Sequence, residues 1–378
     1  MIPIAAPQLG PEEEKAVLDV LRSGVLTQGP VTEEFERAFA GFCGVPFAVA
    51  VASGTAALHL ALLAHGIGPG DEVVTTSFSF IASANAIRHA GAKPVFADID
   101  PLTFTLSPAS VEKVITPRTK AILVVHLYGL PADLDGLGEL AARHGLTLIE
   151  DACQAHGARH RGQVVGSAGT GCFSFYPSKN MTTGEGGMIT TRSAELARTC
   201  ALLRSHGMIG DYRHELLGYN FRMTEISAAI GLCQLQKVAA SNDARRRNAA
   251  YLSERLAGLA GVSLPITPAN REHVFQQYTV RVTTRSGDAA PEGLPDRDAL
   301  GACLAAKGID ARVYYPVPIH LQPVYRAGPD YRDLILPETE RACREVLSLP
   351  VHPALGREEL DRVIGALRAA RAQGEERQ

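Results

Sequence analysis

Phe47 to Leu63 reads F-A-V-A-V-A-S-G-T-A-A-L-H-L-A-L-L, and the change of pattern inside it decides the fold class. Residues 47–52 are an apolar run of strand length, Ser53-Gly54-Thr55 interrupts it, and Ala56 to Leu63 continues as a helix. A strand that enters a helix through a glycine turn opens a crossover unit. The unpaired N–H groups of the first helical turn, together with about half a positive charge from the helix dipole, make that turn attractive to an anion. S-G-T alone is too short to be specific, and an ordinary turn with Thr55 as N-cap would read the same way.

The alternation repeats downstream. Glu72–Thr76, Pro94–Ile99, Ala121–His126 and Leu146–Glu150 are short segments rich in Val and Ile, separated by helical stretches at Ile81–His89, Ser110–Val114 and Asp133–His144. Strands alternating with helices predict an α/β fold, with a largely parallel sheet covered on both faces and ligands at the carboxyl ends of its strands. Two helices, Glu12–Ser23 (closed by Gly24) and Thr32–Phe42, precede this region. Thr224 to about Leu256 reads as one long helix or two, with Arg245-Arg246-Arg247 as a solvated face. The pattern then changes to an alternating strand at Gln277–Thr284, a loop at Ser286–Pro295, a helix at Asp296–Lys307, a strand at Arg312–Tyr315, and helices at Pro337–Leu347 and Arg357–Ala372. This predicts a large domain over residues 1–245 and a smaller α+β domain over 246–378.

Composition narrows the function classes. The 378 residues are 46% hydrophobic, enough for a sizeable core, and carry a formal charge of -3, which offers no basic surface for nucleic acid or an anionic membrane. No apolar run approaches the ~20 residues of a membrane helix, and no basic-then-apolar leader opens the chain. Seven cysteines, odd in number and without a C-x-x-C pair, fit reduced thiols in a cytoplasmic protein better than a disulfide framework or a zinc site. A small-molecule partner and no metal are expected.

The strand ends then supply the candidate chemistry. After successive strands come Ser53-Gly54-Thr55, Ser77-Phe78-Ser79-Phe80, His126-Leu127-Tyr128-Gly129 and Asp151-Ala152-Cys153-Gln154. After the strand Cys172–Tyr176 comes Lys179, inside F-S-F-Y-P-S-K-N-M-T-T-G-E-G-G-M-I-T-T (173–191). An isolated lysine is ordinarily solvated. One held between Ser174, Ser178 and the glycines 184, 186 and 187 can lose solvation and with it some basicity, and its neutral amine condenses with an aldehyde to a Schiff base. No G-x-G-x-x-G follows the first strands, which removes the motif expected of a nicotinamide-dependent oxidoreductase.

Taken in order, S-G-T-A-A-L-H (53–59), S-F-S-F-I-A-S-A-N-A-I (77–87), P-V-F-A-D-I-D (94–100), H-L-Y-G (126–129), I-E-D-A-C-Q-A-H-G (149–157), the Lys179 segment, G-Y-N-F-R-M-T-E-I-S-A-A-I-G (218–231) and Y-Y-P-V-P-I-H (314–320) resemble the DegT/DnrJ/EryC1/StrS sugar aminotransferases over nearly the whole chain. The resemblance implies the aspartate-aminotransferase fold and pyridoxal 5'-phosphate (PLP) as cofactor. It implies that Lys179 binds the cofactor as a Schiff base and serves as general base, and that Asp151 keeps the pyridine nitrogen protonated. Gln154 would bond the phenolic oxygen, and Phe80 would stack on the ring. Gly54, Thr55, Ala56 and Ser174 would hold the phosphate. Asn220 and His320 would come from the partner of a homodimer, Asn220 to the phosphate and His320 to the sugar site. L-glutamate and a nucleotide-linked keto sugar are the implied substrates, with N-F-R-M-T-E (220–225) resembling members that aminate carbon 4 of a 4-keto-6-deoxyhexose. A 3-keto sugar or keto-cyclitol is the alternative, and a non-catalytic regulatory protein a more distant one. Some relatives carry histidine in place of the lysine and are dehydratases, so Lys179 argues for transamination; Cys153 stands where many relatives have alanine.

Overall fold

The computed structural model describes residues 1–283, 295–328 and 330–375. Seven strands form the main sheet: β1 (Phe47–Val51), β2 (Glu72–Thr76), β3 (Lys93–Ala97), β4 (Thr119–Val125), β5 (Thr147–Asp151), β6 (Thr170–Ser174) and β7 (Gly187–Thr191). Their order is β1-β7-β6-β5-β4-β2-β3. All neighbours are parallel except β7, which runs antiparallel to both β6 and β1. Every residue of β2 and of β7 is buried, as expected of strands covered on both faces. One face packs against the helices Gly54–Ala64, Ala82–His89 and Ala194–Arg204. The other packs against Pro30–Cys43, Leu134–His144 and the first part of Glu225–Leu256.

Register aligns the strand ends that matter. Val125 lies opposite Asp151, Asp151 opposite Cys172, and Gly187 opposite both Ser174 and Val51. A Cβ on Gly187 would fall 2.4 Å from the Ser53 carbonyl oxygen, so a glycine is required where β7 passes beneath the turn that follows β1.

Glu225–Leu256 is one helix of 32 residues, about 48 Å long at 1.5 Å per residue. Its end, with Ala249, Leu252 and Leu256, joins a second core made by the sheet of Val262–Ser263, Tyr278–Val282 and Val346–Leu349 and the helices Arg297–Ala306 and Arg357–Glu375. Ile2 is buried in this second core and bridges Ile309, while Ile319, Tyr325, Tyr331 and Leu336 form a separate small cluster with Ala84 and Phe96. Among the described residues no helix is long and apolar enough to cross a membrane.

Several expectations change. Arg245 is buried rather than solvated, its guanidinium donating to the carbonyls of Phe275 and Gln276. Arg312–Tyr315 is not a strand, for only Arg312 makes a bridge, to Ser348. Val346 and Leu347, expected at the end of the helix Pro337–Leu347, instead open the strand Val346–Leu349; the helix ends at Glu345, and the four strand residues are all buried. The helix Ala194–Arg204 and the strand β7 were not anticipated. Thr284 and Ser286–Leu294 of the expected strand end and loop lie outside the described residues.

Candidate active site

Lys179 sits in a turn held from below. Its N–H donates to the Tyr176 carbonyl at 2.9 Å, the Gln276 side chain donates to the Ser178 carbonyl at 3.0 Å, and the Asn180 amide reaches Asn242 Oδ1 at 2.7 Å and the Val274 carbonyl at 3.2 Å. The residue as a whole is half-buried, and burial holds its amine below the usual lysine range, with Cys153 and Asp151 close enough to oppose that shift. This is the direction a nucleophilic lysine needs.

Asp151 ends β5 and is 5% exposed. Its Oδ2 accepts from Ser83 Oγ at 2.7 Å and its Oδ1 from the Cys153 N–H at 3.2 Å. Ser83 also meets Ser79 at 3.0 Å. These donors fix the direction of the carboxylate, and no arginine or lysine lies at hydrogen-bond distance from it among the described residues. The two serines were not singled out in the sequence, although two hydroxyls four residues apart beyond a strand end were visible there.

The turn after β1 leads straight into a helix whose start faces the edge of the sheet. Ser53, not Thr55, caps the helix, its Oγ accepting from the Ala56 N–H at 3.1 Å, which leaves the N–H groups of Gly54 and Thr55 pointing out of the first turn. A Cβ on Gly54 would lie 2.6 Å from Ser174 Cβ and 3.0 Å from Cys153 Sγ, so the helix start packs directly on the strand end that leads to Lys179. The structure thus brings Gly54, Thr55, Ala56, Ser174, Asp151 and Lys179 to one edge of the sheet.

Gln154 is 6% exposed and joins the same edge, accepting the Tyr128 N–H at 2.7 Å and donating to Tyr315 Oη at 3.1 Å. Phe80 is 56% exposed, with its ring centroid 6.3 Å from that of Tyr315. An aromatic ring left this open at a polar edge suits a stacking platform.

Two candidates lie apart. Asn220 is on the surface, its backbone bridged to Ser205. His320, expected to reach a partner's sugar site, is fully buried within its own chain. Its Nδ1 lies 2.7 Å from Ser77 Oγ, its N–H donates to the same oxygen at 2.9 Å, and its Nε2 is 3.5 Å from Glu340. The Ser77 hydroxyl thus meets both the backbone N–H and Nδ1 of the same residue, and burial lowers the His320 pKa. In this chain the side chain is enclosed rather than offered at the surface.

The segment 220–225 is also largely committed to the fold. The Phe221 ring stacks on Tyr219, Met223 is buried, and Thr224 caps the long helix. Glu225 accepts from the N–H groups of Gly29, Val31 and Thr32 and from the Thr32 hydroxyl, pinning the start of the helix Pro30–Cys43.

A lysine of lowered basicity, a carboxylate aimed by its neighbours and the open N–H groups of a helix start meet at one sheet edge, and the profile of the DegT/DnrJ/EryC1/StrS aminotransferase family matches residues 7–368. The chain belongs to this family. It is a sugar aminotransferase, with relatives across its length. It is 43% identical to a "Pleiotropic regulatory protein" of Geobacillus stearothermophilus, over 94% of each chain. It is 45% identical to a UDP-N-acetyl-3-dehydro-alpha-D-glucosamine 3-aminotransferase of Acidithiobacillus ferrooxidans, over 88% of this chain and 86% of that one. Among solved structures, DesV of S. venezuelae in complex with a ketimine intermediate superposes with a TM-score of 0.89 at 45% identity, covering 95% of this chain and 94% of that one. The NtdA protein of Bacillus subtilis with bound cofactor PMP superposes with a TM-score of 0.88 at 33% identity, covering 97% and 83%.

Proposed function

We propose that this aminotransferase moves an amino group from L-glutamate to a nucleotide-linked keto hexose in a PLP-dependent ping-pong reaction, as a cytoplasmic homodimer. The observation that carries the reading is the meeting of Lys179, the oriented Asp151 carboxylate and the Gly54 cradle at one sheet edge.

The residues fit the cofactor. The N–H groups of Gly54 and Thr55 and the Ser174 hydroxyl suit its phosphate, and the close contact at Gly54 is what brings them together. Asp151, aimed by Ser83 and the Cys153 N–H, suits a protonated pyridine nitrogen. Phe80 supplies a ring for stacking, and Gln154 an amide for the phenolic oxygen. Bound there, PLP supplies the electron sink for charge that develops on the donor carbon. Lys179 would take the proton from that carbon and return it to the carbon on the far side of the intervening nitrogen, and burial lowers its basicity in the direction a general base needs. Asn220, on the surface, is available to a partner subunit's phosphate site.

The position of the sugar carbonyl has two readings. Carbon 4 rests on the segment 220–225, most of which serves packing and capping. Carbon 3 is favoured by the name of the relative at 45% identity. Purified enzyme, converted to the amino form with glutamate and offered a panel of 3-keto and 4-keto nucleotide sugars, separates them by which sugar restores the aldehyde-form absorbance. Borohydride reduction followed by peptide mass analysis tests the common core: the cofactor must be found on Lys179. A colourless protein that gains no such adduct would leave the regulatory reading, which the name of the Geobacillus relative favours.

A further inference from the structure

Gln154 is held by two tyrosines whose roles differ. A backbone N–H can be met only by the carbonyl oxygen of an amide, so the 2.7 Å contact from the Tyr128 N–H fixes which end of Gln154 is which. Its Nε2 therefore faces Tyr315 Oη at 3.1 Å and donates one of its two hydrogens there. The second hydrogen has no acceptor among the described residues. Tyr315 is itself tethered: its ring stands 6.3 Å from Phe80 and 6.4 Å from Phe78, and burial pushes its phenol well above the usual tyrosine range, so the oxygen stays a neutral acceptor at any working pH. Asp151 and Cys153 both act on that phenol, which places it within the same small space as the catalytic groups.

From this geometry we infer that Tyr315 is a positioning residue, whose hydroxyl aims the free Gln154 N–H at the cofactor's phenolic oxygen and so sets how tightly the Lys179 Schiff base holds its proton. The inference rests on the PLP reading above. A hydrogen bond given to the phenolic oxygen spreads its negative charge and weakens its hold on the neighbouring imine proton. Removing the Tyr315 oxygen leaves Gln154 tethered at one end only; donation weakens, and the imine keeps its proton to higher pH.

The test is a pH titration of the cofactor absorbance in the resting enzyme, with no turnover involved. Tyr315→Phe keeps the ring and should move the midpoint upward by about half a unit or more, the size expected when part of a hydrogen bond to a charged group is lost. Gln154→Ala should move it in the same direction, and adding Tyr315→Phe to Gln154→Ala should move it no further, because both act through one contact. Tyr314→Phe, whose hydroxyl does not meet Gln154, should leave the midpoint at the wild-type value. An unchanged midpoint in Tyr315→Phe overturns the inference, and so does an equal shift with and without Gln154, which would mean that the phenol acts on the cofactor directly. A wild-type protein without a cofactor band brings down the PLP reading itself, an outcome distinct from either.

Discussion

Lys179 and His320 each stand two residues after a proline, each was expected in the catalytic machinery, and the fold treats them in opposite ways. The turn around Lys179 is held through its backbone and through Asn180, which leaves the amine itself uncommitted at the mouth of the sheet. At His320 the side chain is what is held: Ser77 takes one ring nitrogen, Glu340 lies beside the other, and none of the residue reaches solvent. A polar side chain is available for chemistry when its neighbours, rather than its own donor and acceptor atoms, carry the structural load.

The comparison can be broken at either end. The largest effect is expected from Lys179→Ala, which should abolish transamination while leaving the thermal transition close to wild type, because the turn is held by other groups; near-normal multiple-turnover rates without added amine would remove Lys179 from the reaction. Next is Asp151→Asn, which nearly keeps the shape and the Ser83 contact but loses the charge. Its kcat should fall by orders of magnitude, on the scale of the ~10⁴-fold loss known when a carboxylate serving another ring nitrogen is neutralised, and an unchanged kcat would make Asp151 a structural acid. Smaller again is the recovery expected on mixing Lys179→Ala with Asn220→Ala protomers. Random exchange makes about half the dimers mixed, each with one intact site, so activity should return to roughly a quarter of wild type; exchange verified by tagging with no recovery would confine each site to a single chain. The smallest effect on catalysis belongs to His320→Ala. It should lower stability by about 1–3 kcal/mol in denaturant titrations, the cost of leaving buried partners unmet, with kcat within a few-fold of wild type below the transition. A collapse of kcat at unchanged stability would return His320 to the site.

How much of this was legible in the sequence varies with the range of the forces involved. Helix limits near Ser23 and Cys43 follow from the following glycines, each with positive φ, and the strand at 72–76 from its apolar run; these are local effects that the sequence carries on its face. Gly54 and Asp151 could be picked out as the residues that end strands β1 and β5 or follow them, since a parallel sheet gathers such positions at one edge. Ser83 and Tyr315 could not. Ser83 approaches Asp151 across 68 residues of chain, and Tyr315 approaches Gln154 across 161. The local pattern shows Ser83 as a hydroxyl beyond a strand end but marks neither residue's partner.

The sequence by itself determined the alternation of strands and helices, the glycine turn before a helix, and a lysine beyond a strand in an ordered set of motifs, because propensity, periodicity and motif order are written in neighbouring residues. Tertiary packing decided that Arg245 and His320 are enclosed, that Glu225 is spent on a helix start, and that a late tyrosine closes on Gln154. Each of these depends on which distant group arrives to satisfy a donor or acceptor. That is set by how the sheet and the two cores pack together, after local structure has had its say.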